Sequence, residues 1–317
     1  MADPILTRRR VLAAAQESTP GDAETLDATD AVFNVFDPDM SPDIAFEERP
    51  GQAGFSPLPG VPGARGGSVT FACEIHGSGD GEDPAPAWAK VFLPACGFVE
   101  SDGVFSPESK PPDMDGANTQ TLTIGLYEDG RLRMLRGCMG TFVLVLSSGK
   151  IARIEFTFTG IWVDPSDVEL LAPDYPTVAP LRFAAGTITL DLWTPRVAEI
   201  RIDCGNTVIL REDATDESGY STALITGRRI TGSLDPEGVL VVTDDHWSDW
   251  LDRNERVLVI ALGAGSADGT TFRVDAPCVQ ITNIPNADRN GIVTDAIEVQ
   301  FNRSADAGDD EITLTWA

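Results

Sequence analysis

Apolar and polar residues alternate along most of this chain in short runs, broken by glycine, proline and acidic turns, which is the two-residue period of half-buried strands. The clearest case runs from Arg131 to Val163 and predicts three consecutive strands, the last carrying the alternation IARIEFTFTG. A similar pattern returns about 140 residues later, from Thr271 to Ser304. Each copy has a β-rich segment, a cysteine (Cys138 or Cys278), another apolar strand, a turn at Gly149 or Gly291, and a final alternating strand. The pattern predicts an all-β fold built twice in one polypeptide.

Around these copies the chain divides into an extension or arm over 1–30, a first β-module over 31–165, a linker over 166–185 and a second β-module over 186–317. The extension holds a helix-capable piece, Ile5 to Ala15, and a polar connector. Ala31–Phe36 and Ile44–Glu48 read as strands. The next stretch, Arg49 to Gly67, has four prolines and six glycines and reads as a loop outside any sheet ladder. It also carries Phe55, Leu58 and Val61, which are costly to leave in water, so it is either an Ω-loop packed on its own module or a contact arm for a neighbouring subunit. Ser68–His76 alternates, with Val69, Phe71, Cys73 and Ile75 on one face and Thr70, Glu74 and His76 on the other. Ala85–Cys96 predicts a small helix, and Gln120–Leu126 a strand. The second half repeats this order with Gly227–Leu234, a helix over Asp244–Asp252 capped by Asp244, and Val257–Leu262. There the acidic loop Glu212–Ser221 takes the place of Arg49–Gly67.

Composition sharpens the class. With 317 residues the chain can bury two cores. No apolar run approaches the roughly 20 residues of a membrane-crossing helix, so it reads as soluble. Thr7-Arg8-Arg9-Arg10 imitates a twin-arginine signal, but the apolar run after it has five residues where an export signal needs about 7–15. The five cysteines form an odd set without CxxC spacing and read as small buried hydrophobes made in a reducing compartment. Fifty acidic against 23 basic residues give a net charge of −27, which argues against gripping nucleic acid yet suits a surface that DNA slides past.

Chemical motifs are weak. His76 and His246 have no nucleophile motif beside them and read as surface or interface histidines. Asn286-x-Asp288-x-Asn290-Gly291 imitates half of a calcium loop, but the twelfth position is Ile297, so it reads as a turn. The acidic turn with Asp80, Glu82 and Asp83 reads as solvated. Neither a phosphate loop nor a metal or cofactor set emerges, and the chain reads as no enzyme.

The ordered segments ILTRRRVLAAAQESTPGDAETL, PDIAFEERPGQAGFSPLPGVPGARGGSVTFACEIHGSG, PAWAKVFLPACGF, GCMGTFVLVLSSGKIARIEFTFTGIW and ITNIPNADRNGIVTDAIEVQFN resemble the major tail tube proteins of long-tailed bacteriophages. That resemblance implies β-sandwich or half-barrel modules, each with a small flanking helix, assembled into stacked rings around a DNA conduit. Rings of six modules would need three chains of two modules each. It implies a virion protein assembled in the host bacterial cytoplasm. Its implied partners are further copies of itself, a tape-measure protein, tail terminator and tail-tip proteins, and double-stranded DNA in transit, with no membrane and no cofactor. It also suggests that the N-terminal arm and the long loop bridge rings, through Phe55, Leu58, Val61 and Arg65. If the sheets line the bore, Thr70, Glu74, Glu155, Thr157, Glu298 and Gln300 face DNA; otherwise they face a neighbour or solvent. The competing readings are a capsid-decorating or tail-fibre β-domain protein and a secreted β-sandwich hydrolase.

Overall fold

The computed structural model describes residues 5–52, 54–79, 83–109, 120–263 and 270–317. Asp80 and Glu82 lie outside them. Eight strands and one helix come from the first half: β1 (Arg10–Gln16), β2 (Val35–Arg49), β3 (Leu58–Glu74), α1 (Ala87–Phe92), β4 (Phe98–Ser101), β5 (Val104–Pro107), β6 (Leu122–Glu128), β7 (Arg131–Ser147) and β8 (Arg153–Asp167). The second half adds β9 (Thr187–Leu190), β10 (Glu199–Asp203), β11 (Asn206–Glu212), β12 (Tyr220–Arg228), β13 (Thr231–Leu234), α2 (His246–Asp252), β14 (Glu255–Leu262), β15 (Phe272–Asn283), β16 (Asn286–Arg289), β17 (Ile292–Asp295), β18 (Ile297–Phe301) and β19 (Thr313–Trp316). The protein is an all-β sandwich.

Fifteen strands share one antiparallel sheet. Within it the first half runs β1-β6-β7-β8-β3-β2 and the second β9-β14-β15-β18-β13-β10. Numbered by their place along the chain, both orders are 1-4-5-6-3-2, and each helix falls between the third and fourth strand. The halves meet where β10 pairs with the end of β7, Glu199 opposite Ser147 and Asp203 opposite Val143. A second join is made by β19, which pairs with both β15 and β5. One buried cluster runs through both halves, from Phe71, Phe92 and Phe156 to Ile260, Val274 and Val299. Trp316 packs against Trp88, Phe105 and Phe272 and donates from Nε1 to the His76 carbonyl (3.1 Å), which ties the last strand to the first half.

Four local expectations are corrected. Ile5–Ala15 contains a strand, not a helix: β1 pairs with β6 in register from Arg10 opposite Glu128 to Gln16 opposite Leu122. Its alanines favour helices, but Leu12 and Ala14 enter the main core while Val11 and Ala13 enter a smaller one with Tyr127, the alternation of a strand buried on both faces. The segment expected to form three strands, Arg131–Val163, forms two long ones. β7 runs without a break through Gly137, whose φ of 59° accommodates the register shift between Arg136 and Met139.

The Arg49–Gly67 stretch is largely a ladder, with Ile44 opposite Arg65, Phe46 opposite Pro62 and Arg49 opposite Leu58. Past Gly66, the last of these residues paired to β8, the β2–β3 ribbon projects alone. Beyond Arg65, whose N–H donates to Ser218 O, neither strand has a ladder partner on its outer side among the described residues, and such an edge is where proline is tolerated. Finally, Asp245 rather than Asp244 caps α2, accepting from Ser248 N (3.0 Å).

The segment between the halves lies against the first. Leu170 and Leu171 pack by Val11 and Tyr127, while Leu181 and Phe183 are buried at the β7–β8 turn. Phe183 N donates to Lys150 O and Gly149 N to Phe183 O, both at 2.9 Å.

Candidate functional site: the assembly surfaces

Three surfaces stand out because their chemistry is not consumed by the core. The first is the polar face of the sheet. Thr70 is directly opposite Thr157 on β8, and Ala72 is opposite Glu155. Ser233 is opposite Glu298, and Thr231 opposite Gln300. Since β7 pairs with β10, this face continues from one half to the other. The structure thus gathers Thr70, Glu74, Glu155, Thr157, Glu298 and Gln300 on one face, opposite Val69, Phe71, Ile154, Phe156, Val299 and Phe301 in the core. Sequence reading missed three arginines among them. Arg153 lies 3.4 Å from Glu74, Arg201 3.7 Å from Glu155, and Arg229 donates to Gln300 at 2.9 Å. The face is therefore mixed in sign, and its carboxylates are spaced by guanidinium groups.

The second surface is the β2–β3 arm. Phe46, Phe55, Leu58 and Val61 are 66%, 109%, 50% and 49% exposed. The Phe46 ring covers Gly60, where an added Cβ would meet it at 2.1 Å, so the glycine lets an aromatic side chain lie flat across the ribbon. Arg65 behaves differently from the other three loop residues. Its guanidinium lies 3.7 Å from both Asp164 and Glu217, and its N–H donates to Ser218 O (2.9 Å), so it anchors the arm's base to its own chain.

The third surface is the seam between the halves. The β11–β12 hairpin occupies the same slot in the strand order as the arm, between the second and third strands, yet it bends and lies over β7 and β8. The bend uses Gly205 at φ 62°, where a Cβ would stand 2.2 Å from the Arg229 carbonyl. Asn206 Nδ2 donates to the carbonyls of Cys96 (2.7 Å) and Gly140 (2.9 Å). Arg136 Nη2 meets both carboxylate oxygens of Asp216 at 2.9 and 3.0 Å. Burial raises the Asp216 pKa, but the Ser218 hydroxyl and Arg136 outweigh it and hold the carboxyl at about 2.

The seat below the hairpin is organised by Glu17, which is 6% exposed. Its carboxylate accepts from Thr121 Oγ1 (2.7 Å), Thr123 Oγ1 (2.9 Å), Gly21 N (2.7 Å) and Gly137 N (2.6 Å). These contacts fix the bulge on which Thr222 rests. No motif marks Glu17, because its partners come from three separate segments.

Neither histidine is at the surface. His76 is 6% exposed beside Trp88, Nδ1 is 2.6 Å from Gly77 O, and burial lowers its pKa. His246 is fully buried, with Nδ1 3.0 Å from Asp244, Nε2 3.3 Å from Asp295 and its ring stacked on Trp193. Arg256 completes this cluster, donating to Asp244 (2.8 Å) and Asp249 (2.6 Å). The cluster ties α2 to the β17–β18 junction. Asn290 and Gly291, at φ 55° and 86°, form the hairpin turn read from the sequence. Cys73, Cys96, Cys138 and Cys204 are buried free thiols and Cys278 is half-buried. Burial pushes the Cys138 thiol well up, which makes it a packing group.

A protein-family model described as phage tail tube protein matches residues 7–315. No curated protein matches the chain.

Proposed function

From the premise that this chain belongs to the phage tail tube protein family and is a structural component of the virion tail, we propose that three copies close into a ring of six similar modules, and that stacked rings form the conduit for DNA. The observation that carries this reading is the repeated strand order, 1-4-5-6-3-2 in each half, with the halves joined head to tail through β7 and β10. A head-to-tail contact closes a ring when repeating its rotation returns to the starting copy. The chain makes one such contact internally, and the modules over 31–165 and 186–317 would make the others between copies. Among the described residues, β2 pairs only with β3, and β16 only with β17, which leaves an edge on each half for that purpose.

In this arrangement the polar sheet face lines the bore. Its interspersed arginines and carboxylates would give DNA neither a continuous cationic track to bind nor bare apolar surface. The arm reaches an adjacent ring, while the tape-measure protein occupies the bore during assembly and terminator and tip proteins close the ends. Assembly takes place in the host bacterial cytoplasm. The test is native mass spectrometry and top-view class averages of the purified protein. Three chains per ring with six lobes are expected; six chains per ring would overturn the reading. Glu155→Lys with Glu298→Lys should slow DNA ejection while tubes still form, and unchanged ejection would count against the bore placement.

A further inference from the structure

The two halves point the same way. β10 runs antiparallel to β7, as β2 does through β3 and β8, so the strand-order equivalents β2 and β10 are parallel to each other. Every module in a ring built on this junction would therefore share one polarity, with the β2–β3 arm at one end and the β7–β8 and β16–β17 turns at the other.

At the turn end of the second half lies an apolar patch that the sequence did not single out. Leu240, Val241 and Val242 are 75%, 57% and 91% exposed, and Ile292 and Val293 are 48% and 62% exposed. They adjoin because Gly238 N donates to Val293 O (2.8 Å) and Glu237 bridges to Thr294. The corresponding end of the first half is closed by its own chain, with Leu181 and Phe183 only 6% and 5% exposed. The arm shows the reverse asymmetry. It projects from the first half, whereas its second-half counterpart, β11–β12, is folded down on β7 and β8. Among the described residues, the first half thus presents an exposed apolar arm at one end and the second half an exposed apolar patch at the other.

We propose that the arm of one copy, through Phe46, Phe55, Leu58 and Val61, seats on the Leu240–Val242 and Ile292–Val293 patch of a copy in the adjacent ring. This rests on the ring reading above and adds its receiving surface. The pairing is one to one and heterologous, and because each contact advances one ring along the axis it propagates without closing, as a tube requires. It also sets the stagger: the first half of one ring stands over the second half of the next.

Two measurements test it, each read beside the ring stoichiometry. Val241→Asp with Val242→Asp changes exposed residues, and its fold can be checked by circular dichroism. It should leave three-chain rings intact and reduce tube formation at least tenfold in sedimentation and negative-stain counts. In Phe55→Cys with Val241→Cys, oxidation should give disulfide-linked ladders longer than three chains in tubes and none in isolated rings. Three-chain rings that stack normally in the aspartate variant, or ladders that fail to form in intact tubes, would overturn the receiving surface while leaving the ring reading standing. Wild-type rings without three chains would overturn the ring reading itself.

Discussion

The β2–β3 arm and the β11–β12 hairpin hold the same slot in the strand order and do opposite things. The arm has five large apolar side chains in water, Ile44, Phe46, Phe55, Leu58 and Val61, and Arg65 holds its base. The hairpin carries less of that apolar load, with Ile209 exposed on β11: its turn is Asp213–Gly219, and Asp216 pairs with Arg136. What separates them is a bend. Gly205 lets the hairpin fold sideways onto the first half, whereas β3 continues straight from the sheet into the arm. One ribbon thereby becomes an internal seam and its counterpart becomes an external contact.

The largest way to break this difference is to forbid the bend. Gly205→Val places a branched side chain at φ 62° with its Cβ against the Arg229 carbonyl. It should cost about 3–5 kcal/mol in urea unfolding, through strain and backbone displacement. The next is the seat. Glu17→Ala leaves two hydroxyls and two backbone N–H groups without their acceptor and should cost about 2–4 kcal/mol by the same measurement. Amide exchange should rise at Gly137 and across β12.

A smaller effect is expected from the seam's ion pair. Asp216 is held at about 2 against a usual 3.8, so its contribution is complete above about pH 4 and is lost as pH falls toward 2. Screening at this part-exposed pair limits it to about 1–2 kcal/mol. Arg136→Ala should remove part of that stabilisation at pH 7, the rest being held by Ser218, and flatten the acid limb of the stability curve between pH 4 and 2. An unchanged acid limb would show that the pair does not hold the hairpin.

The sequence carried the parts of this contrast that depend on local alternation. Val69, Phe71 and Cys73 declared a strand because their neighbours are polar, and the same rule found β8, β14 and β18. It failed where burial is two-sided, as at Val11–Ala14, since a strand between two cores has no polar face to alternate with. It also failed at Arg49–Gly67, where prolines were read as breaking a ladder although a free ribbon tolerates them. The seam was illegible for a different reason. Arg136 and Asp216 are 80 positions apart, and the four donors around Glu17 come from three segments. Turn chemistry at Gly205 says that the chain bends and nothing about where the hairpin lands. The six polar-face residues could be selected by alternation alone, but their arginine partners follow from register across strands.

The smallest effect on stability is expected at the tip of the arm. Phe55 is fully exposed at the arm's tip, so Phe55→Ser removes no buried surface from the isolated chain. Its unfolding free energy should stay within about 0.5 kcal/mol of the parent. Burying a phenylalanine against a neighbour, by contrast, contributes about 1.5–3 kcal/mol per contact, roughly a factor of 10 to 100 in the association constant of each arm. A tube repeats that contact at every ring, so the critical concentration for polymerisation should rise by about that factor while the ring and its seam stay unchanged. A matching substitution in the hairpin, Leu210→Ser, should do the reverse. Leu210 packs against Gly66 inside the chain, so its loss should lower unfolding stability and leave the arm's contact intact. Equal effects of both variants on stability and polymerisation would mean that arm and hairpin are not divided into external and internal roles.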